Sequence, residues 1–259
     1  MKQIATGDFD GDSTPDLAAV DDTGDIYLLL NDDSSTPGTL SEQDLVDDFD
    51  DGPDAFAAGD FDADGTSELI GIFQFDEVVQ VRGSAIAPFQ EDVGNVFDIV
   101  VADFDGDFHD DVALGVEDKG GPHILILFGN GAGGFDATRT ELDTTAVVQD
   151  IAVGDFDDDD DLDIAVITNS PDSLLQVFQN DDGRSFTPQT TIAPCTGDCP
   201  PSGDREDPVF MVAGDFDGDG DDDLSIQVTC FDGCDTQYDA IRFLAAEGIN
   251  GWSEVRTRA

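Results

Sequence analysis

Residues 214–223 read Gly-Asp-Phe-Asp-Gly-Asp-Gly-Asp-Asp-Asp, and the same frame returns four more times along the chain. Gly-Asp-Phe-Asp starts at Gly7, Gly59, Gly154 and Gly214, and a fifth copy, Ala-Asp-Phe-Asp, starts at Ala102. Successive starts lie 43 to 60 residues apart. Each copy places acids at the first, third, fifth and ninth positions of a nine-residue loop. A short apolar run precedes every loop, such as Ile151-Ala152-Val153 or Met211-Val212-Ala213. Another follows it, such as Leu69-Ile70-Gly71-Ile72 or Ile164-Ala165-Val166-Ile167.

A third apolar run comes next in each unit: Ile26–Leu30, Val78–Val81, Ile124–Phe128, Leu174–Phe178 and Ile241–Leu244. Turn residues such as Asn31-Asp32, Gly129-Asn130-Gly131 and Asn180-Asp181-Asp182-Gly183 often close it. A more polar fourth segment ends the unit, as at Gly134–Ala137, Arg184–Thr187 and near Trp252. Short β-branched runs bounded by Gly, Asn, Asp and Pro read as strands, and no stretch carries a sustained helical period. Four strands repeated about every 50 residues match the arithmetic of propeller blades. The sequence therefore predicts an all-β chain: a β-propeller of five four-stranded blades with a calcium loop between the first two strands of each. One domain over 1–259 is expected, with blades at approximately 1–53, 54–96, 97–146, 147–206 and 207–259. A β-solenoid or a row of separate hairpins is the competing arrangement.

Four acids within nine residues repel one another unless a cation joins them. Hard cations take oxygen ligands, and calcium accepts six to eight of them in a flexible geometry. The expected side-chain ligands are Asp8, Asp10, Asp12 and Asp16; Asp60, Asp62, Asp64 and Glu68; Asp103, Asp105, Asp107 and Asp111; Asp155, Asp157, Asp159 and Asp163; Asp215, Asp217, Asp219 and Asp223. Position-seven carbonyls of Thr14, Thr66, His109, Asp161 and Asp221 would complete the sets. About five Ca2+ ions are implied. Magnesium prefers a stricter octahedron, and the absence of His or Cys from the side-chain set disfavours zinc and copper. One acidic run alone would read as solvated surface; five in identical register, each between two apolar strands, do not. Position six needs a left-handed backbone, which Gly65 and Gly220 adopt at no steric cost. Ser13 and Phe108 at that position predict distorted or weaker loops. The Phe at position two (Phe9, Phe61, Phe104, Phe156, Phe216) is expected to pack between adjacent blades, with ligand stacking as the rival role.

The repeated Gly-Asp-Phe-Asp-x-Asp, the closing acid, the apolar strand after it and the later Asn-Asp or Asn-Gly turn resemble the FG-GAP/VCBS repeat family, the blade type of integrin α-subunit heads. The resemblance covers essentially the whole chain. It implies a β-propeller with structural calcium in each blade, extracellular or at the cell surface, in adhesion, carbohydrate binding or as an accessory to secreted enzymes. Such propellers commonly have seven blades, against five here. The chain also lacks an obvious strand exchange to clasp a ring, which leaves closure open. Its first residues, Met1-Lys2-Gln3-Ile4, do not form a signal peptide, so a mature or trimmed chain is expected.

The chain of 259 residues carries 61 acidic and 9 basic side chains, a formal charge of −52. The twenty assigned acids leave 41 others, and five dications would bring the charge only to −42. A lysine-poor carboxylate coat suits a high-salt habitat, where screening weakens self-repulsion. No clustered Lys and Arg exist to bind phosphates, so nucleic acid is excluded as a partner. An anionic membrane surface is disfavoured likewise, and no apolar run is long enough for direct membrane insertion.

Cys195, Cys199, Cys230 and Cys234 suit two disulfides, local or crossed, near one rim of the last blade, with a four-Cys zinc site as the rival. No nucleophile elbow, phosphate loop or dinucleotide fingerprint is present. His109 and His123 read as structural or surface residues. The chain is thus expected to be no enzyme, although abundant carboxylate pairs keep a glycosidase-like chemistry open. Three functions are carried forward. The first is a secreted adhesion module binding a glycan or protein on the cell surface or matrix, through the insert Thr191–Pro208 and the loop Thr229–Tyr238. The second is a structural calcium-stabilised component of a larger surface protein or filament. The third is an accessory or catalytic domain of a polysaccharide-degrading enzyme.

Overall fold

The computed structural model describes residues 3–20, 25–31, 40–44, 53, 55–73, 78–82, 89–168, 175–189, 206–230, 239–246 and 252–256. Every regular element among them is a β-strand. The first sheet holds β1 (Gln3–Gly7), β2 (Asp16–Val20), β3 (Ile26–Asn31) and β4 (Leu40–Asp44) in that order. The second holds β5 (Ala55–Gly59), β6 (Glu68–Phe73), β7 (Val78–Arg82) and β8 (Phe89–Asp92). The third holds β9 (Asn95–Ala102), β10 (Asp111–Asp118), β11 (Gly121–Gly129) and β12 (Phe135–Asp143). The fourth holds β13 (Val148–Gly154), β14 (Asp163–Thr168), β15 (Leu175–Asn180) and β16 (Phe186–Pro188). The fifth holds β17 (Glu206–Gly214), β18 (Asp223–Cys230), β19 (Asp239–Ala246) and β20 (Trp252–Arg256). The chain is therefore all-β, built of four-stranded sheets whose strands follow one another as meanders. Among the described residues no helix is long and apolar enough to cross a membrane.

The chain divides into two compact units. One comprises Met1–Asp103, Asp107–Leu114 and Ile126–Arg139; the other comprises Phe104–Gly106, Gly115–Leu125 and Thr140–Ala259. The third sheet contributes to both. In the first unit Leu28, Leu30, Phe56, Leu69 and Phe73 form a buried cluster that Phe9 also packs against. In the second, Phe156, Ile167, Val177, Met211, Leu224 and Ile226 do the same. The middle strands are apolar on both faces: β6 and β14 are buried at every residue. That continuous burial is why their sequences show no alternation.

The acidic segments are the hairpin connections between the first two strands of each sheet. Their register is set by a pairing that recurs: Gly7 opposite Asp16, Gly59 opposite Glu68, Gly154 opposite Asp163 and Gly214 opposite Asp223. In these four loops the residue before the loop therefore faces the acid that closes it.

The position-two phenylalanines do pack between sheets in four of the five loops. Phe61 meets Phe135 of the third sheet edge-to-face, with centroids 5.7 Å apart. Phe104 meets Phe186 of the fourth sheet at 6.2 Å, while Phe156 joins Met211 and Leu224 of the fifth. Phe61, Phe104 and Phe156 are 0%, 1% and 3% exposed, whereas Phe216 is 50% exposed. Burial of a whole aromatic side chain separates these positions energetically. Phe61→Ala is expected to cost about 3–5 kcal/mol, and Phe216→Ala under about 1 kcal/mol. Chemical denaturation of the two variants, under one cation concentration, checks the difference.

Candidate cation loops

Each loop folds by wrapping main-chain N–H groups around its own carboxylates. In the first, Asp8 Oδ1 accepts from Gly11 N at 2.8 Å and Oδ2 from Ser13 N at 2.9 Å. Asp60 accepts from Asp64 N and Gly65 N at 3.2 and 3.0 Å. Asp155 accepts from Asp159 N and Asp160 N at 3.2 and 3.0 Å. The closing acid works differently. Asp16 Oδ2 accepts from Phe9 N at 2.9 Å, while its Oδ1 accepts from Asn31 N at the end of β3 at 2.7 Å. Asp163 repeats this with Phe156 N at 3.1 Å and Asn180 N at 2.8 Å. One carboxylate thus ties the loop to the third strand, a role that spacing along the sequence does not reveal.

Three carboxylates converge in every loop, each offering an oxygen within 4.8 Å of the other two: Asp8, Asp10 and Asp16; Asp60, Asp62 and Glu68; Asp103, Asp105 and Asp111; Asp155, Asp157 and Asp163; Asp215, Asp217 and Asp223. These are the expected positions one, three and nine. The position-five acids Asp12, Asp64, Asp107, Asp159 and Asp219 stand outside these groups. Each turns Oδ1 onto the N–H of position seven: Thr14, Thr66, His109, Asp161 and Asp221, at 2.8 to 3.2 Å. His109 also brings Nδ1 to 3.0 Å from Asp107 Oδ1.

Ser13 and Phe108 keep the backbone shape of position six rather than distorting it. Both residues take φ of 68°, in the same left-handed region as Gly65 and Gly220. Position four does the same at Gly11, Ala63, Gly106, Asp158 and Gly218. The hydrogen-bonded wrap around the first Asp imposes two left-handed residues on every loop, and non-glycine residues there bear a local cost of order 1 kcal/mol or more. Phe108 adds a second cost, since its side chain is 91% exposed.

The donor chemistry fits a hard dication. The ligand atoms are carboxylate oxygens, and the closing acids are at most 2% exposed. Asp157 Oδ1 is buried and makes no hydrogen bond. Burial, partly opposed by the N–H of Phe61, pushes Glu68 up to about 7. Burial pushes Asp163 up to about 7, and burial with the charges of Asp159 and Asp155 pushes Asp157 up to about 6. Groups that resist ionisation when alone are those a cation would relieve.

The third loop carries a cation of its own. Arg184, from the turn before β16, places Nε 2.6 Å and Nη2 2.5 Å from Asp105 Oδ2. Sequence reading missed this arginine, because 79 residues separate the pair. It also missed the position-eight residues Ser67, Asp110 and Asp222. The signal that could have found two of them is an acid directly beside the closing acid. Cys195, Cys199 and Cys234 lie outside the described residues, as do 191–205 and 231–238 of the two proposed partner loops; Cys230 ends β18.

No family model matches the chain, and no curated protein matches it in sequence. Solved structures do resemble it. BBS1N in complex with ARL6DN, soaked with lead, is 15% identical with a TM-score of 0.55, over 95% of this chain and 76% of that one. The same complex soaked with mercury gives 12% and 0.46, over 89% and 79%. The V. cholerae biofilm matrix protein Bap1 gives 14% and 0.39, over 97% of this chain and 51% of that one. Of these three, the first bears on the fold, and it fits a propeller-like one.

The raised carboxyls set a pH dependence for the cation-free protein. Glu68 and Asp163 titrate near 7 when folded, against 4.5 and 3.8 ordinarily. Between those values the folded chain holds more protons than the unfolded one, so stability falls as pH rises. Thermal melts in chelator should show the midpoint decreasing from about pH 4 to about pH 7. Saturating calcium should remove that decrease, because a bound cation favours the ionised acids.

Proposed function

We propose that this chain is a calcium-loaded β-propeller whose five sheets are blades, and that it serves outside the cell as a binding module rather than an enzyme. The observation that carries this reading is the fivefold recurrence of one three-carboxylate cluster at the same hairpin of every sheet. A catalytic pair would occur once; a scaffold device occurs in every repeat. Positions one, three and nine would hold the ion in each loop, with the position-seven carbonyl as a further oxygen. Bound calcium would supply charge neutralisation and a crosslink between the first two strands. The chain's own residues bring the ligands together and exclude soft ligands from the side-chain set. The FG-GAP/VCBS resemblance supports calcium through the motif itself.

A protein partner is the preferred ligand class. BBS1N, which shares the fold, is in complex with ARL6DN. Rigid sheets presenting loops are a common basis for recognition. A surface glycan is the alternative ligand for the same module.

Metal analysis of the purified chain by mass spectrometry should find about five calcium ions per molecule. Chelation at neutral pH should lower the melting temperature by well over ten degrees. A metal-free chain that melts identically with and without chelator contradicts the reading. The charge of −52 further implies a salt requirement. With calcium saturating, the melting temperature should rise steadily from dilute buffer to about molar salt as the surface carboxylates are screened; a flat profile contradicts a high-salt habitat.

A further inference from the structure

In three of the loops the residue just before the closing acid reaches into the preceding loop. Asp222 Oδ2 accepts from Asp155 N at 3.2 Å, and Asp222 N donates to Asp155 O at 2.7 Å. Ser67 brackets Asp8 in the same way: its Oγ accepts from Asp8 N at 3.1 Å, and its N–H donates to Asp8 O at 2.6 Å. Asp110 Oδ2 accepts from Asp60 N at 2.7 Å. In all three the bonds, two from Asp222 and from Ser67 and one from Asp110, fall on position one of the preceding loop, the aspartate around which that loop wraps.

This approach explains the glycine of Gly-Asp-Phe-Asp. A Cβ at Gly7 would lie 2.6 Å from Ser67 Oγ, one at Gly59 would lie 2.9 Å from Asp110 Oδ2, and one at Gly154 would lie 2.8 Å from Asp222 Oδ2. The third copy begins with Ala102 instead, and position eight of the next loop is Leu162, which offers no acceptor. In the four copies that another loop follows, the glycine and a polar position-eight side chain occur together or are missing together.

We propose that Ser67, Asp110 and Asp222 are positioning residues that couple cation binding in one loop to cation binding in the next. The inference rests on the calcium reading above. Within the second unit the route is short. Filling the fifth loop fixes Asp223 against Asp215 and Asp217. Asp222 is bonded directly to Asp223, and its carboxylate and its N–H then hold the N–H and the carbonyl of Asp155. The fourth loop's first ligand is thereby ordered before its own ion arrives, so less entropy remains to be lost on binding. Leu162 cannot pass such order backward through a side chain.

Hydrogen exchange of the full chain, read by mass spectrometry on peptides covering 155–163 across a calcium titration, tests this. Asp215→Asn with Asp217→Asn empties the fifth loop. That change should move the calcium midpoint of fourth-loop protection at least about fivefold higher. With Asp222→Leu, which copies the residue at Leu162, or with Asp222→Ala, emptying the fifth loop should add less than twofold. Asp222→Ser, which copies Ser67, should restore the shift. An unchanged fourth-loop midpoint after the fifth loop is emptied overturns the coupling, whatever the Asp222 variants do. A shift that persists undiminished in Asp222→Leu or Asp222→Ala overturns the role of Asp222. The calcium content measured on the same samples separates the two failures: ions bound without coupling leave the calcium reading standing, and no ions bound removes both.

Discussion

Repulsion among carboxylates that the fold forces together is the constraint on which everything else depends. Three oxygens within 4.8 Å recur in each hairpin. Ionised carboxylates at that range repel one another, most strongly where burial removes the screening water. The main-chain wrap around position one offsets part of this, and the raised Glu68, Asp157 and Asp163 carboxyls show that a part remains. A cation at each of the five clusters would relieve that repulsion.

Much of this was legible in the residues. The five loops, the strands on either side of them and the third apolar run all lie where the repeat places them. Strand content was readable because turn residues bound every run. Packing of the position-two phenylalanines was readable because an aromatic at fixed register between strands has few other places to go. Phe216 departs from its four counterparts in being half exposed, although its sequence neighbourhood is the same. Exposure depends on what lies opposite, and a repeat motif carries no such information.

What stayed hidden was long-range. The closing acid reads as a ligand, yet in Asp16 and Asp163 each oxygen also holds a main-chain N–H, one of them from the third strand. Position five reads as a ligand equal to the others, yet its Oδ1 caps position seven. Ser13 and Phe108 read as defects because intrinsic preference was weighed alone; the wrap around the first aspartate overrides it. Arg184 and the position-eight brackets join residues dozens of positions apart, where periodicity along the chain is blind.

The loops are consequently alike in ligands and unlike in surroundings. The third has a guanidinium beside Asp105 that adds a fixed positive charge. The first and fourth have position one bracketed from the following loop, and the second has it held by one bond from Asp110. Gly214 of the fifth finds only the ring of Phe216 within 4 Å. Five clusters in the same register thus sit in different surroundings.

The central claim is that each hairpin is a dication cage. Anomalous scattering from crystals grown in calcium measures it directly. The account predicts one peak in every loop, about 2.3–2.6 Å from oxygens of positions one, three and nine. Well-ordered hairpins without such peaks, in crystals that contain calcium, would contradict it.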